Sequence, residues 1–301
     1  MQKNNLITVV GALGLEVEIK THKALTMTGE STSGKFKKIE HGGPNAKLTR
    51  ILDFMLYQVS LFGYLGNDEI GSKILSELSK ENLDANIQKI PNDRTAFFFK
   101  LRDSFSFSTL TTTNSFFSLV EQRFEAITKS EVLVLDRTLP FDLKLKIIKK
   151  KVANQYIIIG SNYEEILKLQ ELKSNKLILI FSDYDLSSVD FEAKKEYSIP
   201  ESILKEDLFK GVNIILHGQD ETFVKIKDKI VYQNTMKVRM HKEKVNAHFL
   251  AGLCAGLVSK KDLKLASSWG LACDELAFKQ FDYSRETMVK KAQKFTFEDS
   301  F

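Results

Sequence analysis

The chain has 301 residues, of which 43% are hydrophobic and 28% charged, a composition typical of a soluble globular protein. Its length is sufficient for one large α/β domain with room for a small appendage. The net charge of +5 is modest, and the densest basic run, at residues 149–151, has no stacking aromatic residues beside it. We therefore predict that the protein does not bind nucleic acid.

Two further features indicate the compartment and the redox state. No apolar run reaches the length of a membrane-spanning helix, and the first five residues lead directly into an apolar strand instead of a signal peptide. The two cysteines, Cys254 and Cys273, lie in apolar helical runs and lack the spacing of a metal site. The sequence therefore predicts a cytoplasmic protein with two buried thiols and no membrane segment.

The chain begins with an apolar strand and a polar hairpin. Residues 6–10 form a run that is typical of a buried strand, and glycines follow it. Residues 17–41 are polar with interspersed apolar positions, a pattern that predicts short hairpin strands. The same pattern returns at residues 94–110, where several of the 22 phenylalanines are concentrated. This concentration predicts an apolar surface that a partner covers.

The most distinctive stretch lies between these segments, from Gly42 to Gly71. Gly42 and Gly43 can adopt backbone conformations that other residues avoid, and the proline after them suits the first position of a helix. An amphipathic helix and a buried strand follow, and the strand stops at residues 66–68. We expect Asp68 to cap the next helix. This is a βαβ half-unit with glycines at the ends where open α/β sheets bind ligands.

The remainder of the chain alternates between strands and helices. Residues 132–135, 156–160, 177–181 and 212–216 are short continuous apolar runs, as expected for parallel strands that are covered on both faces. A hairpin at residues 222–232 and two apolar helices, at residues 246–259 and 261–279, follow them. The pattern predicts an α/β fold with a doubly wound, mostly parallel sheet flanked by helices.

The stretch from Gly42 to Gly71 resembles the first signature of the ribokinase-like (PfkB) family of carbohydrate and nucleoside kinases. Two glycines, a helix and a strand ending in Gly-Asn-Asp-x-x-Gly match it, and Gly66 lies 23 positions after Gly43. A generic α/β turn is the alternative explanation. The resemblance implies a single ribokinase-like domain over residues 1–301. It also implies a small β-sheet lid, from residues 17–41 and 94–110, that closes over the ligand and forms a homodimer contact.

The resemblance also implies which residues bind a sugar or nucleoside. Glu16 falls where the family has an aspartate that binds two hydroxyl groups, although it is equally well explained as the start of a solvated strand. Gly42 and Gly43 form the turn at the ligand, and Asp136, at the end of a strand, completes this set. Lys47 replaces an asparagine that binds sugar hydroxyls. It either pairs with an anionic group of the ligand or is a solvated helix residue.

The catalytic motif of the family is altered in this chain. Phosphoryl transfer needs a base, backbone donors for the developing charge and a magnesium site, and the family supplies the first two from a late Gly-Ala-Gly-Asp motif. The base position falls on Ala247, and alanine cannot accept a proton. The anion-hole positions fall on Lys244, Val245 and Asn246. The candidates for a surrogate base are Glu243, His248 and His241, and an aspartate near residues 183–185 is a further candidate.

The motifs for nucleotide and metal are also altered. Residues 182–186 lie where the family has Asn-x-x-Glu, and Asp183 or Asp185 could still reach a hydrated metal ion. His217 and Gly218 stand where a Gly-x-x-Gly turn lines the ATP site, and only Gly218 of that motif remains. The family implies ATP and Mg²⁺ as cofactors. The sequence therefore favours a pseudokinase that acts by ligand binding or dimerisation, and the alternative is an active ATP-dependent kinase with a surrogate base.

Overall fold

The computed structural model describes residues 6–21, 34–81, 83–101, 105–109, 118, 120–150, 155–160, 165, 168–169, 174, 176–181, 204, 210–217, 221–234, 247–278, 284–295 and 297–299. The helices with described bounds are α1 (Gly43–Phe54), α2 (Glu69–Leu78), α3 (Phe124–Thr128), α4 (Phe141–Lys149), α5 (Ala247–Val258), α6 (Leu263–Phe278) and α7 (Arg285–Ala292). The strands are β1 (Leu6–Ala12), β2 (Gly14–Thr21), β3 (Gly34–His41), β4 (Gln58–Gly66), β5 (Asp84–Ile90), β6 (Ala96–Leu101), β7 (Phe105–Thr109), β8 (Val132–Leu135), β9 (Tyr156–Gly160), β10 (Leu177–Phe181), β11 (Asn213–His217), β12 (Glu221–Ile226), β13 (Lys229–Asn234) and β14 (Glu298–Asp299).

The larger of two sheets has ten strands in the order β14-β13-β12-β11-β10-β9-β8-β1-β4-β5. The pairs from β5 to β11 are all parallel, and the pairs from β11 to β14 are antiparallel. Every residue of β8, β10 and β11 is buried. The sequences of these strands are continuously apolar because helices cover both faces of a parallel sheet.

Two apolar cores cover the two faces of this sheet. The first core contains residues of α1, α2, α5, α6 and α7, and the second contains residues of α3 and α4. Neighbouring strand residues contribute to opposite cores: Val9 belongs to the first core and Val10 to the second. Both cysteines are buried and free, as predicted.

The second sheet, called here the small sheet, has four strands in the order β3-β2-β6-β7. Its two faces differ in chemistry, because residues that pair across strands share a face. Glu16 pairs with Glu40 and with Phe98 on one face. This face is directed towards the larger sheet, since the Phe98 ring lies 2.7 Å from where a Cβ on Gly43 would be.

The opposite face of the small sheet is apolar. Val17 pairs there with Ile39 and with Phe99, and the rings of Phe97 and Phe99 stack with their centroids 5.6 Å apart. Ile39 is 52% exposed, and Phe36 on the same strand is 72% exposed. The mixed α/β architecture, with a large mostly parallel sheet and a small second sheet, confirms the predicted fold class. Among the described residues, none of the helices is long and apolar enough to cross a membrane.

Candidate functional site

A tight turn precedes α1 at the carboxyl end of the parallel strands. Gly42 and Gly43 have φ angles of +96° and +68°, a region that L side chains rarely adopt. The Gly42 amide donates a hydrogen bond to the Gly14 carbonyl at 2.9 Å, which ties the turn to the start of β2. The backbone conformation that the sequence predicted at these two glycines is confirmed, and it directs the first turn of α1 at the strand ends.

Three polar side chains, called here the polar floor, connect the ends of β1 and β8. Asn45, which is 5% exposed, donates from Nδ2 to the Ala12 carbonyl at 2.9 Å and to Asp136 Oδ2 at 3.1 Å. Thr138 donates from its hydroxyl to the same Asp136 oxygen and accepts from the Ala12 amide at 3.3 Å. Two donors therefore hold one oxygen of the Asp136 carboxylate and fix the orientation of the other.

The polar floor depends on a glycine beneath it. A Cβ on Gly11 would lie less than 3.0 Å from both Asn45 Nδ2 and Asp136 Cβ. Any larger residue at this position would displace the side chains that make the floor. Asn45 and Thr138 were missed in the sequence, although the position of Asn45, two residues after Gly43, was a signal that could have identified it.

Tyr64 lies next to the polar floor on β4, directly opposite Ala12. Its side chain is 5% exposed. Burial, together with the negative charges of Asp136 and Asp93, raises the pKa of Tyr64 to about 12. The phenol is therefore neutral at physiological pH, and it borders the floor as an uncharged polar group.

Glu16 and Lys47 lie at the junction of the small sheet with α1. Glu16 is 5% exposed, so the alternative explanation, that it merely starts a solvated strand, is wrong. It is buried because it lies on the face of the small sheet that is directed towards the larger sheet. Lys47 is half-buried, and its Nζ lies 3.7 Å from Glu40 Oε2. The ammonium group is thus paired within the protein at the base of the small sheet.

Asp68 joins α2 to the small sheet. Its carboxylate caps α2 by accepting from the Gly71 amide at 2.7 Å, as predicted, and it also accepts from the Thr95 amide at 2.8 Å and the Thr95 hydroxyl at 2.6 Å. Although burial acts in the opposite direction, these hydrogen bonds hold the pKa of Asp68 below its usual value. A Cβ on Gly66 would lie less than 3.0 Å from the backbone of Arg94 and Thr95, so β6 enters the small sheet directly against this turn.

A second group of predicted site residues lies where β11 meets α5 and α6. Ala247 is the first residue of α5 and is 6% exposed. The His217 ring stacks on Phe249 with centroids 4.3 Å apart, and its Nδ1 lies 2.8 Å from the Thr222 hydroxyl. His217 Nε2 is 3.9 Å from Asp274 Oδ2. Burial lowers the pKa of His217 to about 4, so the imidazole is neutral at physiological pH.

His248 is half-buried in the first turn of α5. The remaining candidates lie outside the described residues: Asp183, Asp185, Gly218, His241, Glu243, Lys244, Val245 and Asn246. Within the described ranges, no group of three or more His, Cys, Asp or Glu side chains is placed to hold a metal ion.

Comparisons with known proteins identify the architecture. No protein-family model matches the sequence, and no curated protein sequence matches it. Phosphofructokinase-2 from Escherichia coli in complex with fructose-6-phosphate matches with a TM-score of 0.70 and 14% identity, over 96% of this chain and 98% of that one. A carbohydrate kinase from Agrobacterium tumefaciens matches with a TM-score of 0.66 and 16% identity, over 98% and 100% of the two chains.

A further match is the tetrameric inhibited form of phosphofructokinase-2 from Escherichia coli. Its TM-score is 0.65 at 14% identity, over 96% of this chain and 98% of that one. At identities this low, the matches establish a shared fold and no more. Because the coverage is nearly complete, almost the whole chain has this fold. The fold predicted from the residues between Gly42 and Gly71 is therefore confirmed.

Proposed function

We propose, from the premise that this chain has the ribokinase-like fold of the PfkB-type carbohydrate kinases, that it binds a small sugar or nucleoside without transferring phosphate. The ligand is held between the polar floor and the small sheet, within one domain of residues 1–301. The observation that carries this proposal is the contrast between the ordered floor at Asp136 and the alanine, Ala247, at the position of the base.

The polar floor has the chemistry that a polyhydroxylated ligand needs. Sugar hydroxyl groups are hydrogen-bond donors, and a carboxylate is an acceptor that can take two of them. Asp136 is already held by Asn45 and Thr138, so little side-chain freedom is lost when a ligand binds. Glu16 supplies a second carboxylate from the small sheet, and the turn at Gly42 lets the backbone approach the ligand closely.

The catalytic half of the site supports an impaired enzyme. A positioned general base contributes about 10²–10⁴-fold to a rate, and Ala247 has no group that can accept a proton. His217 is neutral and buried against Phe249, so it supplies no positive charge to a phosphate group. ATP and Mg²⁺ are the cofactors that the fold implies, and we expect their binding to be weak.

The test is a panel of sugars and nucleosides, each with and without Mg-ATP, read out by thermal unfolding and by release of ADP. A ligand at 100 times its Kd should stabilise the protein by about 2.7 kcal/mol. We expect at least one sugar or nucleoside to raise the melting temperature with no release of ADP. Asp136→Asn should abolish that shift, whereas Asp142→Asn, a change at an exposed position of α4, should retain it.

Sugar-dependent release of ADP would contradict this proposal. If that activity disappeared in Glu243→Gln, the alternative function would hold, an active carbohydrate or nucleoside kinase with Glu243 as the surrogate base. If no member of the panel raises the melting temperature, the ligand-binding function is excluded and dimerisation remains as the proposed role.

The apolar face of the small sheet supports a homodimer. Phe36 and Ile39, on β3, are 72% and 52% exposed, and the stacked pair Phe97 and Phe99 lies on the same face of the sheet, on β6. A second copy of the same face would bury these side chains. Light scattering should give the mass of a dimer for the wild type and of a monomer for Phe36→Lys/Ile39→Lys. Leu265→Lys, at an exposed apolar position of α6, should remain dimeric, and a monomeric wild type would overturn the homodimer.

A further inference from the structure

A lysine is completely buried at the carboxyl ends of β8 and β9. The side chain of Lys144, on α4, is 0% exposed, and its ammonium group makes three hydrogen bonds. It donates to the Arg137 carbonyl at 3.1 Å, to the Gly160 carbonyl at 3.0 Å and to Glu165 Oε2 at 2.8 Å. All three protons of the ammonium group are therefore used inside the protein.

The acceptors of Lys144 belong to three different segments. Arg137 lies between two members of the polar floor, Asp136 and Thr138. Gly160 ends β9, and a Cβ on it would lie 3.0 Å from the Arg137 amide nitrogen, so the two backbones are in close contact. Glu165 follows β9 in the chain. One ammonium group thus joins the strand end that carries the polar floor to the end of the neighbouring strand.

Stability alone does not explain this arrangement. Burial lowers the pKa of Lys144, and the charges of Glu165 and Asp136 act in the opposite direction. Removing an ammonium group from water is costly, and replacing a buried ion pair by apolar residues of similar volume is often neutral or stabilising. A buried lysine is better explained where the direction of its hydrogen bonds fixes a geometry that apolar packing would leave free.

We infer that Lys144 and Glu165 are positioning residues of the ligand site. They fix the Arg137 carbonyl, and with it residues 136–138, so that Asp136 keeps its carboxylate oriented for the ligand. The polar floor is then held from two sides, by Asn45 at the side chain of Asp136 and by Lys144 at the backbone. The link to ligand binding rests on the proposed function, whereas the link to backbone geometry does not.

The experiment compares the wild type with Lys144→Met, Glu165→Gln and the double variant Lys144→Met/Glu165→Leu. The double variant replaces both charges by apolar side chains of similar length, so it leaves no buried charge without its partner and removes the hydrogen bonds to the Arg137 and Gly160 carbonyls. The control is Lys225→Met, because Lys225 is also a buried lysine, 4% exposed, and donates to the Leu204 carbonyl at 2.5 Å on another part of the sheet. Amide hydrogen exchange is measured on peptides that cover residues 133–140, and binding is measured with fructose 6-phosphate as the probe.

In the double variant we expect the amides of residues 136–139 to exchange at least 10-fold faster, a larger increase than at the amides of strands distant from Lys144. The Asp136 amide, which donates to the Val10 carbonyl at 2.9 Å in the wild type, is the most informative of these. Glu165→Gln should give a smaller increase, and Lys225→Met should leave these amides unchanged. Fructose 6-phosphate should bind at least 10-fold more weakly to the double variant than to the wild type.

Unchanged exchange at residues 136–139 in the double variant would overturn the inference, and so would an equal increase in Lys225→Met. A wild-type protein that does not bind fructose 6-phosphate would count against the proposed function for this probe. The exchange rates would still decide whether Lys144 positions the segment, so the two failures can be distinguished. Lys144→Met alone, if it fails to fold, leaves the double variant and Glu165→Gln to decide.

Discussion

The polar floor and the junction of α5 with α6 use glycine for opposite purposes. At the floor, Gly11 makes room for the polar side chains of Asn45 and Asp136. At the helix junction, Gly252 makes room for the backbone of Trp269, and Gly256 for that of Ala266. The first region uses close approach to order polar groups, and the second uses it to pack two helices.

This difference shows that packing and chemistry are separable constraints on the fold. Gly252 must stay small because a neighbouring helix occupies the space, whatever the protein does. Ala247 lies five residues earlier on the same helix. If the protein does not transfer phosphate, this position needs no side chain that accepts a proton. A chain that loses a catalytic group can therefore keep the whole frame around it, and the apolar core at α5 and α6 is intact.

The largest expected effect tests the helix junction. In Gly252→Ala the added Cβ would lie less than 3.0 Å from the carbonyl carbon and oxygen of Trp269, and these backbone atoms cannot move without separating α5 from α6. Overpacking of this kind costs about 3 kcal/mol. Urea unfolding should show this loss. In the control, Gly211→Ala, the Cβ enters open space at φ +77°, and the conformational strain alone should cost about 1 kcal/mol. Equal losses in the two variants would contradict the difference in packing.

The next effect concerns the buried histidine of the same region. The pKa of His217 is lowered from 6.5 to about 4, so the unfolded chain binds more protons than the folded one between these pH values. The contribution of neutral His217 to the unfolding free energy is therefore complete above pH 6.5. It is lost as the pH falls towards 4, by about 3 kcal/mol in total. We expect the difference in unfolding free energy between pH 7 and pH 4.5 to be smaller in His217→Leu than in the wild type.

His41→Gln is the control for this titration, because it removes a half-buried histidine and leaves His217 in place. It should retain the pH dependence of the wild type. The nearby Asp274 favours the imidazolium form, since its Oδ2 lies 3.9 Å from His217 Nε2, and it can reduce the loss. The same pH dependence in His217→Leu and the wild type would contradict this prediction, because it would show that His217 binds protons equally in the folded and unfolded states.

An intermediate effect tests the connection between the ligand-binding half and the small sheet. Asp68→Ala removes the cap of α2 and both hydrogen bonds to Thr95, and we expect a loss of about 2 kcal/mol. The control is Asp262→Ala, because Asp262 caps α6 through the Leu265 amide at 2.7 Å and, within the described part of the chain, makes no hydrogen bond to the small sheet. It should cost about 1 kcal/mol. Cleavage by trypsin at Arg94 should accelerate in Asp68→Ala alone.

The titration of Asp68 provides a second readout. Its pKa is lowered in the folded state, so its contribution to stability is present above the ordinary carboxyl range and is lost as the pH falls through the folded pKa. Asp68→Ala should therefore resemble the wild type more closely in strong acid than at neutral pH. Equal costs for the two aspartate variants would show that the bonds to Thr95 add nothing to capping.

The elements of the fold could be predicted because their signals are local. A strand such as residues 132–135 is continuously apolar since both of its faces are covered. Gly42, Gly43 and Asp68 were predictable because a turn and a helix cap depend on neighbouring residues. The resemblance carried by these residues identified the architecture, and the comparisons confirmed it.

The contacts within the polar floor could not be predicted, because its parts are distant in the chain. Asn45 and Asp136 are 91 residues apart, and their contact depends on how α1 lies across the larger sheet. Lys144 was not singled out in the sequence, since lysine is mostly exposed and its neighbours do not mark it as buried. Its burial is possible because two carbonyls and Glu165 accept the hydrogen bonds that the ammonium group would otherwise donate to water. None of these acceptors belongs to α4, so the sequence pattern of that helix does not indicate them.

The smallest expected effect compares the ends of two helices, one from each region. The residue after α1 and its cap is Leu56, at φ +65°, and Lys260 lies beyond the end of α5 at φ +59°. Glycine is favoured at such positions because a Cβ costs about 1–2 kcal/mol there. Leu56 is 80% exposed, so its side chain contributes little packing. Leu56→Gly should raise the unfolding free energy by about 0.5–1 kcal/mol, after the greater freedom of glycine in the unfolded chain is subtracted.

Lys260→Gly is the matched variant, and we expect a smaller gain because it also removes the ion pair of Lys260 with Glu131. An exposed pair of this kind contributes about 0–1 kcal/mol, which offsets part of the relief of strain. Urea unfolding of both variants gives the comparison directly. If Leu56→Gly were destabilising, the strain at φ +65° would cost less than the conformational freedom that glycine adds to the unfolded chain.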